Sequence, residues 1–241
     1  MEDASVSPSL PRRSVVSFVR RSTRMTASQA SSMSAYASTW VIPVAIGDLA
    51  TMVAPQPMLD LTAVFGRRGE VIVEVGSGHG DALVGAALAR PECDFLGFEV
   101  FEPAIASTLG KIASAKVTNV RLISADAVTG LTHLIGDHAL SEVWVFFPDP
   151  WPKKRHHKRR LIGADFLDLV AGKLSRRGWL RLATDDDSYA VVIAETLAER
   201  DDFAVVSTER FPGRALTKYE ARGIAHNRKI HDFSCQLRQV Q

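Results

Sequence analysis

The segment from Phe147 to Leu161, FPDPWPKKRHHKRRL, combines three types of side chain that could act together on a nucleic acid. Two prolines flank Asp149 and restrict the backbone, so this carboxylate is expected to hold a fixed position. Trp151 offers a flat ring on which a base could stack, although a single tryptophan could equally fill a core. Six of the eight residues from Lys153 to Arg160 are Lys or Arg and could pair with phosphates. The segment therefore predicts a nucleic-acid site built around a rigid acidic group.

A glycine-rich turn, Glu74-Val-Gly76-Ser-Gly78-His-Gly80, follows a predicted strand. Its three glycines carry no side chain, so the backbone can approach a ligand closely. Their G-x-G-x-G spacing differs from the G-x-G-x-x-G of dinucleotide-binding proteins. With Glu74 two positions before the first glycine, the turn suits a nucleoside that carries a positively charged sulfonium group. Taken alone, it could equally be a tight turn that requires positive φ.

Acidic residues also follow the next two predicted strands. Glu99 could accept hydrogen bonds from both hydroxyls of a ribose, and such charge-assisted bonds contribute about 1.5–3 kcal/mol each. Asp126 could accept a hydrogen bond from the exocyclic amine of adenine. Together with Glu74, these acids at successive strand ends predict that the protein binds S-adenosyl-L-methionine.

Short strands and helices alternate from about residue 70 onward. The predicted strands cover residues 71–75, 94–100, 120–125, 142–147, 178–184, 203–207 and 230–237. The predicted helices cover residues 81–90, 103–116, 161–174 and 186–200. This alternation favours an α/β fold, in which a mostly parallel sheet is covered by helices on both faces. Ligands of such sheets bind beyond the carboxyl ends of the strands, where the acids and the glycine-rich turn are expected.

The basic residues are concentrated in two segments that contain no acid. Residues 4–47 hold five arginines and residues 153–160 hold six Lys or Arg, so the rest of the chain has 18 basic against 27 acidic residues. Such segregation is typical of proteins that bind polyanions, although a solvated tail and loop would be a simpler explanation. Residues 1–40 are rich in Ser and Arg and are predicted to form a flexible basic arm. The same composition also occurs in organelle transit peptides.

Cysteine content and hydropathy exclude several classes of protein. Cys93 and Cys235 are the only cysteines and neither belongs to a CxxC pair, which argues against a disulfide framework, a structural zinc site or an iron–sulfur cluster. We expect both to pack in the core. No apolar run reaches the roughly 18 residues of a membrane-spanning helix, and the start lacks the apolar core of a secretory signal. These features predict a soluble protein.

The PDPWPKKRHHKRR segment resembles the signature of the bacterial tRNA (guanine-N7)-methyltransferase family. The resemblance extends from about Ser17 to the C-terminus and includes Arg20–Met25 and Arg214–Glu220. It implies a class I S-adenosyl-L-methionine-dependent methyltransferase fold, which is Rossmann-like with seven strands, over residues 41–241. It further implies a cytoplasmic enzyme that methylates N7 of a guanine in tRNA, at position 46 of the variable loop, without a metal or a membrane. Whether the protein is a monomer or a homodimer stays open.

The resemblance also assigns roles to individual residues. The residues expected to contact the cofactor are Glu74, Gly76, Gly78, Gly80, Glu99, Asp126 and Asp149, and Asp149 is also the expected catalytic residue. The residues expected to contact the substrate are Lys153, Asp185, Thr217, Lys218, Tyr219 and Glu220. Tyr219 stands where the family commonly has Phe, which preserves the ring. After Gly223 the sequence departs from the family pattern.

The chemistry of guanine N7 is compatible with these residues. N7 has an exposed lone pair and no proton, so its attack on a methyl group needs no general base. Alignment of the two reacting groups can supply up to about 7–11 kcal/mol. Asp149 and Asp185 could accept hydrogen bonds from guanine N1–H and N2–H and so favour guanine over adenine. Two alternatives are a class I methyltransferase that acts on a protein or small molecule, and a non-catalytic RNA-binding module.

Overall fold

The computed structural model of the protein describes residues 24–238. They form one seven-stranded sheet whose strands lie in the order β3-β2-β1-β4-β5-β7-β6. The strands are β1 (Val71–Val75), β2 (Asp94–Glu99), β3 (Val120–Ser124), β4 (Leu140–Phe146), β5 (Leu174–Thr184), β6 (Phe203–Ser207) and β7 (His231–Leu237). β7 runs antiparallel to β5 and β6, and the other six strands are parallel to one another. The prediction of a mostly parallel seven-stranded α/β fold is therefore confirmed.

Eight α-helices accompany the strands within this described range. They are α1 (Ala27–Trp40), α2 (Leu61–Phe65), α3 (Asp81–Ala89), α4 (Glu102–Ala115), α5 (Ala127–Leu134), α6 (Ala164–Lys173), α7 (Asp187–Ala198) and α8 (Lys218–Ala225). A 3₁₀ helix covers Lys154–Arg159. The sequence did not predict α1, α2, α5 or α8, because α2, α5 and α8 have at most eight residues and α1 consists mainly of Ser, Ala and Thr.

Side chains of β1 alternate between two apolar cores, one on each face of the sheet. Val71, Val73 and Val75 pack with helices α5 to α7, whereas Ile72 packs with α3 and α4. All five residues of β1 are buried, which is expected for a central parallel strand covered on both faces. Cys93 and Cys235 are buried and form no disulfide, as predicted for cysteines that pack in the core.

Helix α1 corrects part of the predicted flexible arm. Thr26 and Gln29 form a capping box that begins the helix. The Gln29 amide then donates hydrogen bonds of 2.9 Å to the Pro103 carbonyl and to Ser107 Oγ, which fix α1 against α4. The prediction of flexibility is thus wrong for Ala27–Trp40, because these residues are held by α4. The rest of the predicted arm, apart from residues 24–26, lies outside the described residues.

The strand order changes direction at β1. The chain runs from β1 outward through β2 to β3, and then returns to place β4 on the other side of β1. A crevice opens at the carboxyl ends of the strands at such a point, and ligands of α/β sheets bind there. The fold therefore brings the glycine-rich turn after β1 next to the Asp149 segment after β4.

Candidate active site

A cavity of about 210 Å³ lies at the switch point, the place beside β1 where the strand order changes direction. Eight of the residues that the sequence assigned to the site line it, namely Glu74, Gly76, Gly78, Glu99, Asp126, Asp149, Thr217 and Tyr219. Gly80, Lys153, Asp185, Lys218 and Glu220 are not among its lining residues. The fold thus brings the predicted cofactor set together almost completely, and part of the predicted substrate set.

The glycine-rich turn is held by backbone hydrogen bonds at the end of β2. Gly76 N and Ser77 N both donate to the Phe98 carbonyl, at 2.9 and 3.0 Å. Gly76 and Gly78 have φ of 71° and 53°, values that side chains disfavour, and both line the cavity. The turn therefore requires glycine for its conformation and presents bare backbone to a ligand.

Gly80 has a different role from the one predicted. It is the N-cap of α3, is buried, and a Cβ there would collide with the side chain of Thr108 in α4. Its glycine is required for close packing of these two helices, and its backbone does not line the cavity.

Glu99 is fixed by three backbone amides. Its Oε2 accepts a 2.7 Å hydrogen bond from Gly78 N, and its Oε1 accepts from Val100 N and Phe101 N at 2.8 and 2.9 Å. A carboxylate oxygen can accept about two hydrogen bonds, so Oε2, which accepts one here, keeps capacity for a ligand. The carboxylate is therefore preorganised at the cavity wall, as a ribose-binding group should be.

Glu74 is the most buried acid of the cavity, with 4% of its surface exposed. Burial, together with the nearby charges of Glu99 and Asp81, raises the pKa of Glu74 well above its ordinary value. Its Oε2 has no hydrogen-bond partner within residues 24–238. A buried, unpaired carboxyl oxygen in a ligand cavity suits a positively charged group, so the site fits a sulfonium nucleoside that also carries an ammonium.

Asp126 begins helix α5. Its Oδ1 accepts a hydrogen bond from Thr129 N at 3.0 Å, and its own backbone amide donates to the Thr51 carbonyl at 2.6 Å. Apolar residues that sequence reasoning did not identify also line the cavity, two of them directly after Asp126: Phe101, Ala127, Val128 and Leu161. In the sequence, only their positions next to the acids and the basic segment could have indicated that they line the cavity. An apolar slot with one acceptor at its edge suits an adenine ring.

Asp149 lies in a loop after β4 whose backbone is unusual on both sides. Phe147 and Trp151 have φ of 53° and 46°, which is uncommon for residues other than glycine. The Phe147 amide donates a 2.8 Å hydrogen bond to the Ala183 carbonyl of β5, which anchors the start of the loop. Asp149 is half-buried and faces the cavity, so the loop presents this carboxylate where the sequence predicted it.

Helix α8 closes one side of the cavity. Thr217 is its N-cap, and Thr217 Oγ1 accepts a 3.1 Å hydrogen bond from the Glu220 amide. The ring of Tyr219 is 41% exposed, and its Cε2 would lie 3.8 Å from a Cβ placed on Gly78. Lys218 is exposed beside them. An exposed ring over the glycine-rich turn is available to a base that enters the cavity.

Glu220 corrects the predicted substrate contact. Its side chain is 1% exposed and forms ion pairs with Arg214 and Arg210 at 3.0 and 2.7 Å. Burial alone would raise the pKa of Glu220, but hydrogen bonds from these arginines lower it. Arg214 also pairs with Asp232 and lies over the ring of Phe147 at 5.4 Å. The Glu220 carboxylate therefore stabilises the first turn of α8 and is not available to a substrate.

Besides Lys218 and Glu220, two more predicted substrate residues lie outside the cavity wall. Lys153 is exposed immediately before the 3₁₀ helix. Asp185 follows β5, and its Oδ2 accepts a 2.8 Å hydrogen bond from Arg228. Arg228 belongs to the segment where the sequence departs from the family pattern, so sequence reasoning could not identify it.

The basic segment is only partly exposed. Lys153, Lys154, Arg155 and Lys158 are exposed, but the Arg159 guanidinium lies over the ring of Trp151 at 4.8 Å. Arg160 is buried, with 8% of its surface exposed. The expectation that all six basic residues face phosphates is therefore wrong for Arg160, and one face of the expected Trp151 platform is covered by Arg159.

His79 is a cavity residue that sequence reasoning did not assign. Burial lowers the pKa of His79, and the charges of Lys111 and Lys218 lower it further. Its position inside the glycine-rich motif was the only available signal. A neutral imidazole there can donate or accept a hydrogen bond inside the cavity.

Within residues 24–238, no helix has the length and apolar character needed to cross a bilayer. The same residues contain no group of three or more His, Cys, Asp or Glu side chains that could hold a metal ion.

The fold is shared with proteins of known structure. The crystal structure of the 16S rRNA methyltransferase KamB superposes with a TM-score of 0.55 at 14% identity, over 76% of this chain and 96% of that one. TrmN from Thermus thermophilus superposes with a TM-score of 0.51 at 15% identity, over 73% of this chain and 47% of that one. At these identities the similarity establishes the class I methyltransferase fold.

Sequence relatives identify the family. Residues 68–233 match a family model described as "Putative methyltransferase". A tRNA (guanine-N(7)-)-methyltransferase from Cutibacterium acnes is 48% identical over 92% of this chain and 83% of its own length. One from Nocardioides sp. is 41% identical over 94% and 88%, respectively. With its cavity at the switch point and this level of identity, the chain belongs to the tRNA (guanine-N7)-methyltransferase family.

Proposed function

We propose that this protein transfers a methyl group from S-adenosyl-L-methionine to N7 of a guanine in tRNA, and that this guanine lies at position 46 of the variable loop. Membership of the family supports the reaction, the cofactor and the tRNA substrate. The observation that carries the residue assignments is that Glu74, Glu99, Asp126 and Asp149 all line one cavity. We further propose that the protein acts in the cytoplasm.

The cofactor supplies an electrophilic methyl group on a positively charged sulfur. We assign Glu99 to its ribose hydroxyls, because three backbone amides hold this carboxylate at the cavity wall. Asp126 and the apolar residues beside it are assigned to the adenine. Glu74 is assigned to the positively charged end, since its Oε2 is buried and unpaired within the described residues.

The guanine is assigned to the side of the cavity formed by Asp149, Thr217 and Tyr219. Asp149 is the proposed catalytic residue, which accepts hydrogen bonds from the guanine edge and so aims N7 at the methyl group. Because N7 carries no proton, the residues need only to orient it, and alignment can supply much of the rate. Lys153, Lys218 and the exposed part of the basic segment then contact the tRNA backbone. We assign none of these steps to a metal ion.

The decisive experiment incubates the protein with labelled S-adenosyl-L-methionine and unmodified tRNA, followed by borohydride and aniline. This treatment cleaves RNA at N7-methylguanine and so reports both activity and position. We expect one cleavage in the variable loop. Label in tRNA without cleavage would refute N7 as the acceptor, and cleavage elsewhere would refute position 46. An absence of label in tRNA would refute the tRNA reaction itself.

A further inference from the structure

Arg160 ends the basic segment but turns inward. Its side chain is 4% exposed, and its Nε donates a 2.9 Å hydrogen bond to the carbonyl oxygen of Pro150. Pro150 directly follows Asp149. The guanidinium therefore contacts the backbone of the loop that carries the proposed catalytic carboxylate.

The same guanidinium is anchored on helix α7. Its Nη2 donates to Ser188 Oγ at 2.7 Å and its Nη1 donates to the Ser188 carbonyl at 3.3 Å. Its plane lies 4.7 Å from the ring centre of Tyr189, whose hydroxyl accepts a 2.8 Å hydrogen bond from Ile162 N. Arg160 thus bridges the Asp149 loop to a helix that packs on the sheet, through bonds that require its planar, forked donor group.

The loop needs such an anchor because its backbone is strained. Phe147 and Trp151 both have positive φ, and conformations of this kind persist only where the surroundings hold them. The Phe147 amide is bonded to Ala183, which fixes the start of the loop. Arg160 supplies the corresponding bond at Pro150, on the other side of Asp149.

The environment of Arg160 differs from that of the residues beside it. Lys154, Arg155 and Lys158 are exposed, and a phosphate could reach them. The buried Arg160 guanidinium already donates to three oxygen atoms and lies 3.8 Å from Asp186 Oδ1. A residue so occupied does not compete for phosphates of the tRNA.

We propose that Arg160 is a positioning residue that fixes Asp149 for methyl transfer, rather than a contact to tRNA. This inference rests on the proposed role of Asp149. It separates the basic segment into an exposed part that binds the tRNA backbone and a buried end that holds the active site.

The test compares Arg160→Lys with Lys158→Ala, using tRNA methylation at saturating cofactor. Arg160→Lys keeps the positive charge but cannot reproduce the forked hydrogen bonds. We expect kcat per cofactor-binding site to fall at least about tenfold, since a misplacement of about 1 Å can cost about a hundredfold. The KM for tRNA and its salt dependence should stay within twofold of the parent. Lys158→Ala should show the reverse pattern, with a raised KM and an unchanged kcat.

Titration with S-adenosyl-L-methionine counts the folded sites, so that a loss of folded protein is not mistaken for a loss of turnover. Parental kcat per site in Arg160→Lys, or a raised KM with normal kcat, would overturn the proposal. Arg160→Ala should lose at least as much kcat and recover part of it with added methylguanidinium. Asp149→Ala serves as the reference: if it keeps parental kcat, the proposed role of Asp149 fails, whereas a loss there with normal Arg160→Lys overturns only the role of Arg160.

Discussion

Arg228 Nη1 lies 2.8 Å from Asp185 Oδ2, and this ion pair joins the turn after α8 to the loop after β5. Asp185 is 20% exposed and Arg228 is 58% exposed, so solvent reaches the pair. Arg228 occupies only one of the two carboxylate oxygens. The other oxygen is left for the hydrogen bond from guanine that the sequence predicts for Asp185.

We predict that Asp185→Ala lowers kcat for tRNA methylation strongly and leaves the affinity for S-adenosyl-L-methionine within twofold, because Asp185 does not line the cofactor cavity. Arg228→Ala should have a smaller effect of up to about fivefold, because exposed ion pairs contribute at most about 1 kcal/mol. Steady-state kinetics and cofactor titration test both variants. A loss of cofactor affinity in Asp185→Ala as large as in Asp149→Ala would contradict this division of roles.

Glu99→Ala should weaken binding of S-adenosyl-L-methionine at least about tenfold, because the charge-assisted contact to the ribose is lost. The same substitution also removes the acceptor for three backbone amides, so part of the effect could come from a displaced turn. Glu99→Gln is the matched variant, since its amide oxygen can still accept from part of these amides. Isothermal titration should place it between the parent and Glu99→Ala, and unchanged affinity in a folded Glu99→Ala would remove Glu99 from the site.

The sequence was sufficient to predict the sheet and most of the acidic residues that line the cavity. β1 and β6 match their predicted bounds, because short valine-containing apolar runs between turn residues mark strands clearly. Glu74, Glu99 and Asp126 could be identified because a parallel sheet places the ends of its strands at one edge. For these elements, the local sequence pattern and the tertiary fold favour the same structure.

The remainder depended on contacts between distant segments. Helix α1 is held by α4, and its apolar residues at helical spacing, Met33, Tyr36, Ala37 and Trp40, are few among many Ser, Ala and Thr residues, so the sequence analysis did not predict it. Arg160 and Glu220 have the sequence character of exposed charges, yet the fold buries both among partners that lie on other elements. Burial of a charge is decided by such partners, which a local pattern does not contain.

The raised pKa of Glu74 predicts how cofactor affinity depends on pH. In the free protein burial favours the protonated carboxyl, whereas a positively charged cofactor favours the carboxylate. Binding should therefore release a proton, and affinity for S-adenosyl-L-methionine should fall as pH drops below the raised pKa of Glu74. Titration calorimetry in buffers of different ionisation enthalpy measures this proton directly.

Glu74→Gln should bind more weakly at high pH and lose most of this dependence, while the exposed Glu70→Gln should behave as the parent. The raised pKa of Glu74 also affects the free energy of unfolding. Because the pKa is raised in the folded state, Glu74 reduces stability as pH rises above the ordinary carboxyl value. Glu74→Gln should then raise the melting temperature at pH 8 more than at pH 5. Equal proton release by parent and Glu74→Gln would show that another group titrates.

The exposed residues of the basic segment should control tRNA binding through its salt dependence. Arg155 and Lys158 are both exposed on the 3₁₀ helix, near the cavity mouth formed by the Asp149 loop. Each phosphate contact contributes about 0.7 to 0.9 to the slope of log affinity against log salt concentration. Replacing both residues with Ala should therefore lower the slope by about 1.4 to 1.8 and raise the KM for tRNA, with kcat unchanged.

The double variant Arg68→Ala with Arg176→Ala removes the same charge at exposed positions near the opposite, amino-terminal ends of β1 and β5. A contact at the basic segment predicts a parental slope for this control, whereas a general effect of net charge predicts equal changes in both double variants.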